Sequence, residues 1–330
     1  MVRARPAQIG ANAKMIINLV PEFLAACAAP DRDAAYREYL RRHHAVLSSY
    51  WHNYVLDLDS PHAEEVIRGV LAASRRDLGR LLARVDLERL AGDALDAASG
   101  VLEVDMEVDL YLTVGVGAAN AAELVVNGRG IAIVCVEHFT GQPNPDTFGL
   151  GLPPDLLPLW IAHEVAHAVR YTSPTSRSPL RALVAESGGT YDYWDSGSRA
   201  NLRELLLNEG VAVHAARAAA PGHFAEDYLG FSRRQYRRMR EMETFLRRAV
   251  EGDLDRAGLG LRLRYLSGGL SPAARLVKGR VLPERSGYYI GARMAEALVA
   301  ERGVAGAARA APEEFQAAEM RHAPEQAVNE

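Results

Sequence analysis

Cysteine is nearly absent: 330 residues contain only Cys27 and Cys135, far apart and in neither a CxxC nor a framework spacing. A disulfide-stapled fold is therefore not expected, and reduced thiols suit a cytoplasmic protein. Long apolar runs are missing as well. Nothing approaches the ~18 residues of a membrane span, so no membrane partner is expected. The stretch "KMIINLVPEFLAAC" ends in a Leu24-Ala25-Ala26-Cys27 box that superficially resembles a lipoprotein cleavage site. Pro21 and Glu22 interrupt its apolar run, which a secretory signal would not readily tolerate. A strong charge of either sign is also lacking, the formal net charge being −4, and nothing marks the whole chain as a nucleic-acid binder. The Arg-rich stretch "FSRRQYRRMREMETFLRRAVE" reads as one amphipathic helix. Phe231, Tyr236, Met239, Phe245 and Leu246 form its buried stripe, and Glu241 and Glu243 dilute the arginines. No nucleic-acid partner follows.

What is present is an ordinary globular balance, 48% hydrophobic and 24% charged, in a chain long enough for one large domain or joined subdomains. The patterning suggests a mainly helical region over 1–100, a catalytic core over 101–220 and a C-terminal helical region over 221–330 that completes the cleft. From Asp31 to about Gly92, three- and four-residue apolar spacings predict helices, and His43, His44, His52 and His62 read there as surface and packing residues. Between Val101 and Val114 apolar residues alternate with Glu103, Asp105, Glu107 and Asp109, predicting a strand with one wet, acidic face. "ELVVNGRGIAIVCVEHF" predicts a hairpin around Asn127-Gly128. After the Pro- and Gly-rich loop Thr140 to Asp155, helices resume. The expected fold class is α+β: mostly helical, with a small antiparallel sheet beside the helix described next. The tail after Gly303 shows no periodic core signal.

"WIAHEVAHAVR" places His163 and His167 four positions apart with Glu164 between them. On a helix such positions lie about 40° apart, so both imidazoles can aim at one point. Hydrolytic zinc chemistry needs two neutral nitrogen ligands and a carboxylate close enough to deprotonate a water without being a ligand. A third ligand is required. The helix from Leu202 offers Glu204 and Glu209. Glu209 falls within the apolar stripe of Leu202, Leu205, Leu206, Ala212 and Val213, whereas Glu204 is expected near Arg203 and solvent. A carboxylate on a buried face needs a cation, and a metal shared with the histidines would provide it.

The pair "HEVAH" and "LNEGVAVH" resembles the gluzincin metallopeptidases, whose third zinc ligand is the glutamate of an NExxA-type helix. With "SGYYIGARMAEAL", the chain also resembles a bacterial family of predicted zinc-dependent proteases that share HExxH, EGxA and G-Y-x-I-G motifs. That second likeness would cover most of the sequence from "KMIINLV" onward. The resemblance implies a zincin-like core, with His163, His167 and Glu209 as Zn2+ ligands and Glu164 as general base. It also implies a tyrosine donor to the oxyanion, Tyr288 or Tyr289, with Tyr288 matching the G-Y position best.

The sequence departs from the gluzincin pattern at several places. Forty-one residues separate His167 from Glu209, a longer spacer than the aminopeptidase N type uses, and no GxMEN signature precedes the motif. Glu137 occupies a loosely similar strand end and is a candidate ligand for a substrate amine. Val213 stands where thermolysin-like proteins place an aspartate that orients a ligand histidine. Asp192, Asp195 or a backbone carbonyl are the alternatives.

The leading expectation is a zinc metallopeptidase: a hydrolase of amide bonds in a peptide or protein, whose substrate adds to a sheet edge near Ile131 to Val136. Two other classes share the residues. A non-haem iron enzyme with a His-His-Glu triad would modify peptides or small molecules. A non-catalytic binding protein would keep a vestigial metal site.

Overall fold

The computed structural model describes residues 14–322. Strand β1 (Lys14–Asn18) is the first element of the described residues. Six helices follow: α1 (Val20–Ala28), α2 (Arg32–Arg42), α3 (His44–Tyr54), α4 (Ala63–Ala72), α5 (Arg76–Leu82) and α6 (Leu87–Leu102). Strands β2 (Val108–Thr113), β3 (Ala121–Val126) and β4 (Arg129–Cys135) complete one sheet. Next come α7 (Leu157–Thr172), α8 (Pro179–Glu186), α9 (Tyr193–Arg199) and α10 (Leu202–Ala219). The C-terminal third holds α11 (Arg233–Glu241), α12 (Glu243–Val250), α13 (Leu259–Leu266), the short hairpin β5 (Leu276–Val277) and β6 (Arg280–Val281), α14 (Ser286–Ala308) and α15 (Pro312–His322). No described helix is long and apolar enough to cross a membrane.

The fold is α+β and mostly helical, but its main sheet is mixed rather than antiparallel. The strand order is β1-β2-β4-β3, with β1 parallel to β2, β2 parallel to β4, and only β3 antiparallel to β4. The expected hairpin is present: Asn127 and Gly128 both have positive φ, 53° and 78°, as a two-residue turn with the right twist requires. The alternation over 101–114 misled because its first part closes a helix. α6 runs to Leu102 and ends on Glu103 in the left-handed region (φ 49°, ψ 52°). In the remainder, β2 is buried along nearly all its length. Helices on both sides exclude water, since α7 packs on β3 and β4 while α1 and α3 pack on β2 and β3. Of the four acidic residues Glu103 and Glu107 remain exposed and Asp105 is half-buried, while Asp109, the one within β2, is dry. Asp109 is buried and bound bidentately by Arg129, at 2.5 and 2.8 Å. The strand holding Ile131 to Cys135 is interior, paired to β2 on one side and β3 on the other. It offers no free edge to a substrate.

Three helical expectations also change. The Arg-rich segment forms two helices, because Met242 breaks it (φ −100°, ψ 3°). The tail after Gly303 is not structureless: α14 kinks at Gly303 (φ 69°, ψ 172°) and continues, and α15 buries Phe315 and Ala318. Glu204 is not near solvent. It is completely buried and accepts from Arg170 Nη2 and Ser178 Oγ, both at 2.5 Å. α10 is enclosed by α6, α7 and α14 and is buried almost continuously from Glu204 to Ala216, so there is no wet face near Glu204 for a single-stripe argument to find, and Arg170 is the cation that makes the burial tolerable.

Candidate metal centre

α7 starts on prolines, Pro154 in the preceding turn and Pro158 in its first turn, positions where a missing N–H costs nothing. Almost every later side chain is buried, including His163, Glu164 and His167. The helix lies on the sheet where Gly130 leaves room: a Cβ there would stand 2.9 Å from the Ala168 Cβ. This close seat brings the carboxylate of Glu123, on β3, toward His167 and Glu164, and the three form one group whose donor atoms lie within 4.8 Å of one another.

On the opposite flank α10 delivers Glu209. Its Oε2 lies 3.3 Å from His163 Nε2 and 3.7 Å from His167 Nε2. A tetrahedral zinc site with bonds of about 2.0–2.1 Å has ligand-to-ligand edges of roughly 3.4 Å, so both contacts of Glu209 sit near the spacing a shared cation sets, and all three donor atoms lie within 4.8 Å of one another. Their electrostatics agree. Burial drives the His163 imidazole down to about 3 and also lowers that of His167, while it raises the carboxyls of Glu209 and Glu164. Two neutral imidazoles leave a buried carboxylate with no ionic partner at its tip, and a cation is what the set lacks.

Around the ligands the rings are ordered. Tyr288 lies nearly parallel to His163, with centroids 6.2 Å apart and planes 20° apart, and Tyr171 similarly flanks His167 at 6.1 Å and 16°. Asn208 donates to the Tyr171 hydroxyl (2.9 Å), which donates to Glu123 (3.3 Å), and Tyr54 donates to the other Glu123 oxygen (2.7 Å). The Nδ1 atoms of both histidines and the Oδ1 of Asn208 are buried without a hydrogen-bond partner. Asn208 is the polar side chain that acts on His167, although no hydrogen bond joins its Oδ1 to the ring. Asp192 instead caps α9 and contacts His52, and Asp195 pairs with Arg199.

A cleft of about 510 Å³ opens on the ligands and is lined by Glu123, His163, Glu164, His167, Glu209, Arg262, Arg285 and Tyr288 among others. Tyr289 points elsewhere. It donates to Glu243 (2.7 Å) and lines a separate cavity of about 190 Å³. Two glycines set this division, since α10 and α14 cross with Gly210 against Gly291. A Cβ on Gly210 would lie 2.0 Å from the Gly291 carbonyl oxygen, and one on Gly291 would lie 1.9 Å from that of Leu206. The glycines of "NEGVA" and "YYIG" thus allow backbone contact that holds Tyr288 beside the ligands.

Glu137 does not line the cleft. It is buried, both its carboxylate oxygens lack a hydrogen-bond partner, and burial pushes its carboxyl up to about 7. The third carboxylate facing the cleft, beside Glu164 and Glu209, is Glu123, which the sequence pattern did not single out. Its one signal was an acidic residue inside the apolar strand "AAELVV".

These observations define an α+β protein with a buried His-His-Glu group able to bind a metal ion. Comparison with protein-family models, curated proteins and solved structures finds no match.

Proposed function

We propose that the chain is a zinc-dependent hydrolase of amide bonds with peptides as substrates, related in its site to the gluzincins. The observation that carries this reading is the convergence of His163 Nε2, His167 Nε2 and Glu209 Oε2 beside Glu164, whose Oε2 is buried without a partner. The likeness of "HEVAH", "NEGVA" and "GYYIG" to the gluzincin and predicted-protease motifs supports it. When bound, zinc lowers the pKa of a coordinated water toward neutrality and polarises the scissile carbonyl.

The rest is work for the chain. Glu164 takes the proton of the attacking water on its unpartnered oxygen and returns it to the leaving amine, and burial gives its carboxylate the proton affinity this requires. Tyr288 donates its phenolic O–H to the oxyanion. Burial keeps that phenol protonated, as a donor must be. Extended backbone binds along the segment from Gly117 to Ala121 leading into β3, which lines the cleft. Hydrolysis gives Glu164 a task that an iron triad would not. Two free cysteines fit the reducing, cytoplasmic setting in which we place the protein.

The test is metal analysis of protein purified without added metal, followed by a panel of amine-blocked and free peptides with and without chelator. Zinc near one equivalent, chelator-sensitive cleavage, and a Glu164→Gln variant that keeps zinc but loses nearly all turnover are expected. Stoichiometric iron with oxygen-dependent turnover, or full activity in Glu164→Gln, would overturn the reading.

A further inference from the structure

The charged side chains of the cleft are three carboxylates, Glu123, Glu164 and Glu209, and two guanidinium groups, Arg262 and Arg285. A dication turns that balance from one net negative charge to one net positive charge. The two arginines are not equivalent. Arg262 is buried and held by protein groups: it donates to the Tyr191 hydroxyl (2.7 Å) and the Tyr193 carbonyl (2.9 Å) and stacks on the Tyr193 ring at 3.4 Å, with its Nε alone unpartnered.

The Arg285 guanidinium makes one hydrogen bond, a 3.3 Å contact to the Gly230 carbonyl, and lies over the Tyr288 ring at 4.4 Å and the Phe231 ring at 5.9 Å. Among the described residues its ion pairs number none within 4.0 Å. Its backbone sits in the left-handed region (φ 56°, ψ 25°), a conformation that non-glycine residues keep only where the surroundings impose it and that clusters at binding sites. That conformation sets the residue at the start of α14, three positions before Tyr288.

We propose that Arg285 is a specificity-determining residue that binds a carboxylate of the substrate close to the scissile amide. This rests on the peptide-hydrolase reading, because a peptide's own anions are carboxylates, and a planar guanidinium receives them bidentately. The Tyr288 ring joins the two groups, with the His163 ring 6.2 Å away and the guanidinium 4.4 Å away. The carboxylate therefore lies at most about three extended residues from the bond cut. It comes either from the peptide C-terminus or from an Asp or Glu side chain.

The test uses the zinc-loaded Glu164→Gln protein, which binds without turnover, and calorimetric titration with three matched N-acetylated Ala/Leu hexapeptides. One ends in a free carboxylate, one in an amide, and one in an amide with Glu at its penultimate position. A carboxylate-bearing peptide should bind on the order of ten- to a hundred-fold more tightly than the neutral amide, and which one does identifies the source. Adding Arg285→Met should abolish that preference, and Arg285→Lys should keep part of it at an unchanged melting temperature. Equal binding of all three peptides overturns the proposal. So does a preference that survives Arg285→Met, since zinc itself would then carry it, and so does binding of none. Cleavage by the wild-type protein is scored separately. Preference without cleavage refutes the hydrolase and leaves the subsite standing, whereas cleavage without preference does the reverse.

Discussion

Replacing Gly291 with alanine should harm this protein, although helix propensity alone favours alanine over glycine by about 0.5–1 kcal/mol. The added Cβ would stand 1.9 Å from the Leu206 carbonyl oxygen and 3.1 Å from the Gly210 nitrogen, while ordinary contact begins near 3.4 Å. α10 and α14 must then part by about 1.5 Å, the difference of the first and last of those distances. Both obstacles are backbone atoms, which no rotamer change can move aside. Overpacking of this kind costs about 1–3 kcal/mol and occasionally more, and the rigid contact puts this case at the upper end. The displacement also reaches the site. Glu209 adjoins Gly210 on one helix, and Tyr288 lies one turn before Gly291 on the other. Denaturant unfolding of the metal-free protein should show the stability loss, and competition with a chromophoric chelator should show weaker zinc binding. Wild-type stability together with wild-type zinc affinity in Gly291→Ala would refute the argument that the crossing assembles the site.

Tyr288→Phe should retain zinc and lose about 10²–10³-fold in kcat, while Tyr289→Phe stays within a few-fold of wild type. Equal losses in steady-state assays of the two variants would remove the distinction drawn from their cavities. Arg170→Met leaves Glu204 buried and unpaired and should cost about 3–5 kcal/mol, with part recovered on adding Glu204→Gln. Urea midpoints of the single and double variants decide this, and a strictly additive result would show that the two groups do not interact. Glu137 gives a pH dependence. Its folded carboxyl, near 7, lies above its ordinary value of 4.5, so its contribution to stability is complete below about pH 4.5 and is lost as pH rises through 7. Glu137→Gln should therefore gain on wild type across that window, and a difference between their denaturation midpoints that stays constant with pH would contradict the assignment.

Much of the metal centre was legible in one dimension. Four-residue spacing puts His163 and His167 on one helix face whatever surrounds the helix, and Glu209 within an apolar stripe implied a buried charge in need of a cation. The Asn127-Gly128 turn was equally local, since it depends on which residues accept positive φ. Other features depended on what lies opposite a residue. The alternation from Val101 to Val114 could not reveal that helices cover both faces of the sheet, and β4 was taken for an edge because strand order is a tertiary property. Glu204 looked solvated until Arg170 was placed against it. Glu123 entered the cleft only because Gly130 lets α7 settle on the sheet, and Tyr288 parted from Tyr289 only because α10 and α14 meet at two glycines. Periodicity states which residues share a face, and sequence alone determined that much here. What each face meets is set by contacts between segments distant along the chain, and only the tertiary structure decided those.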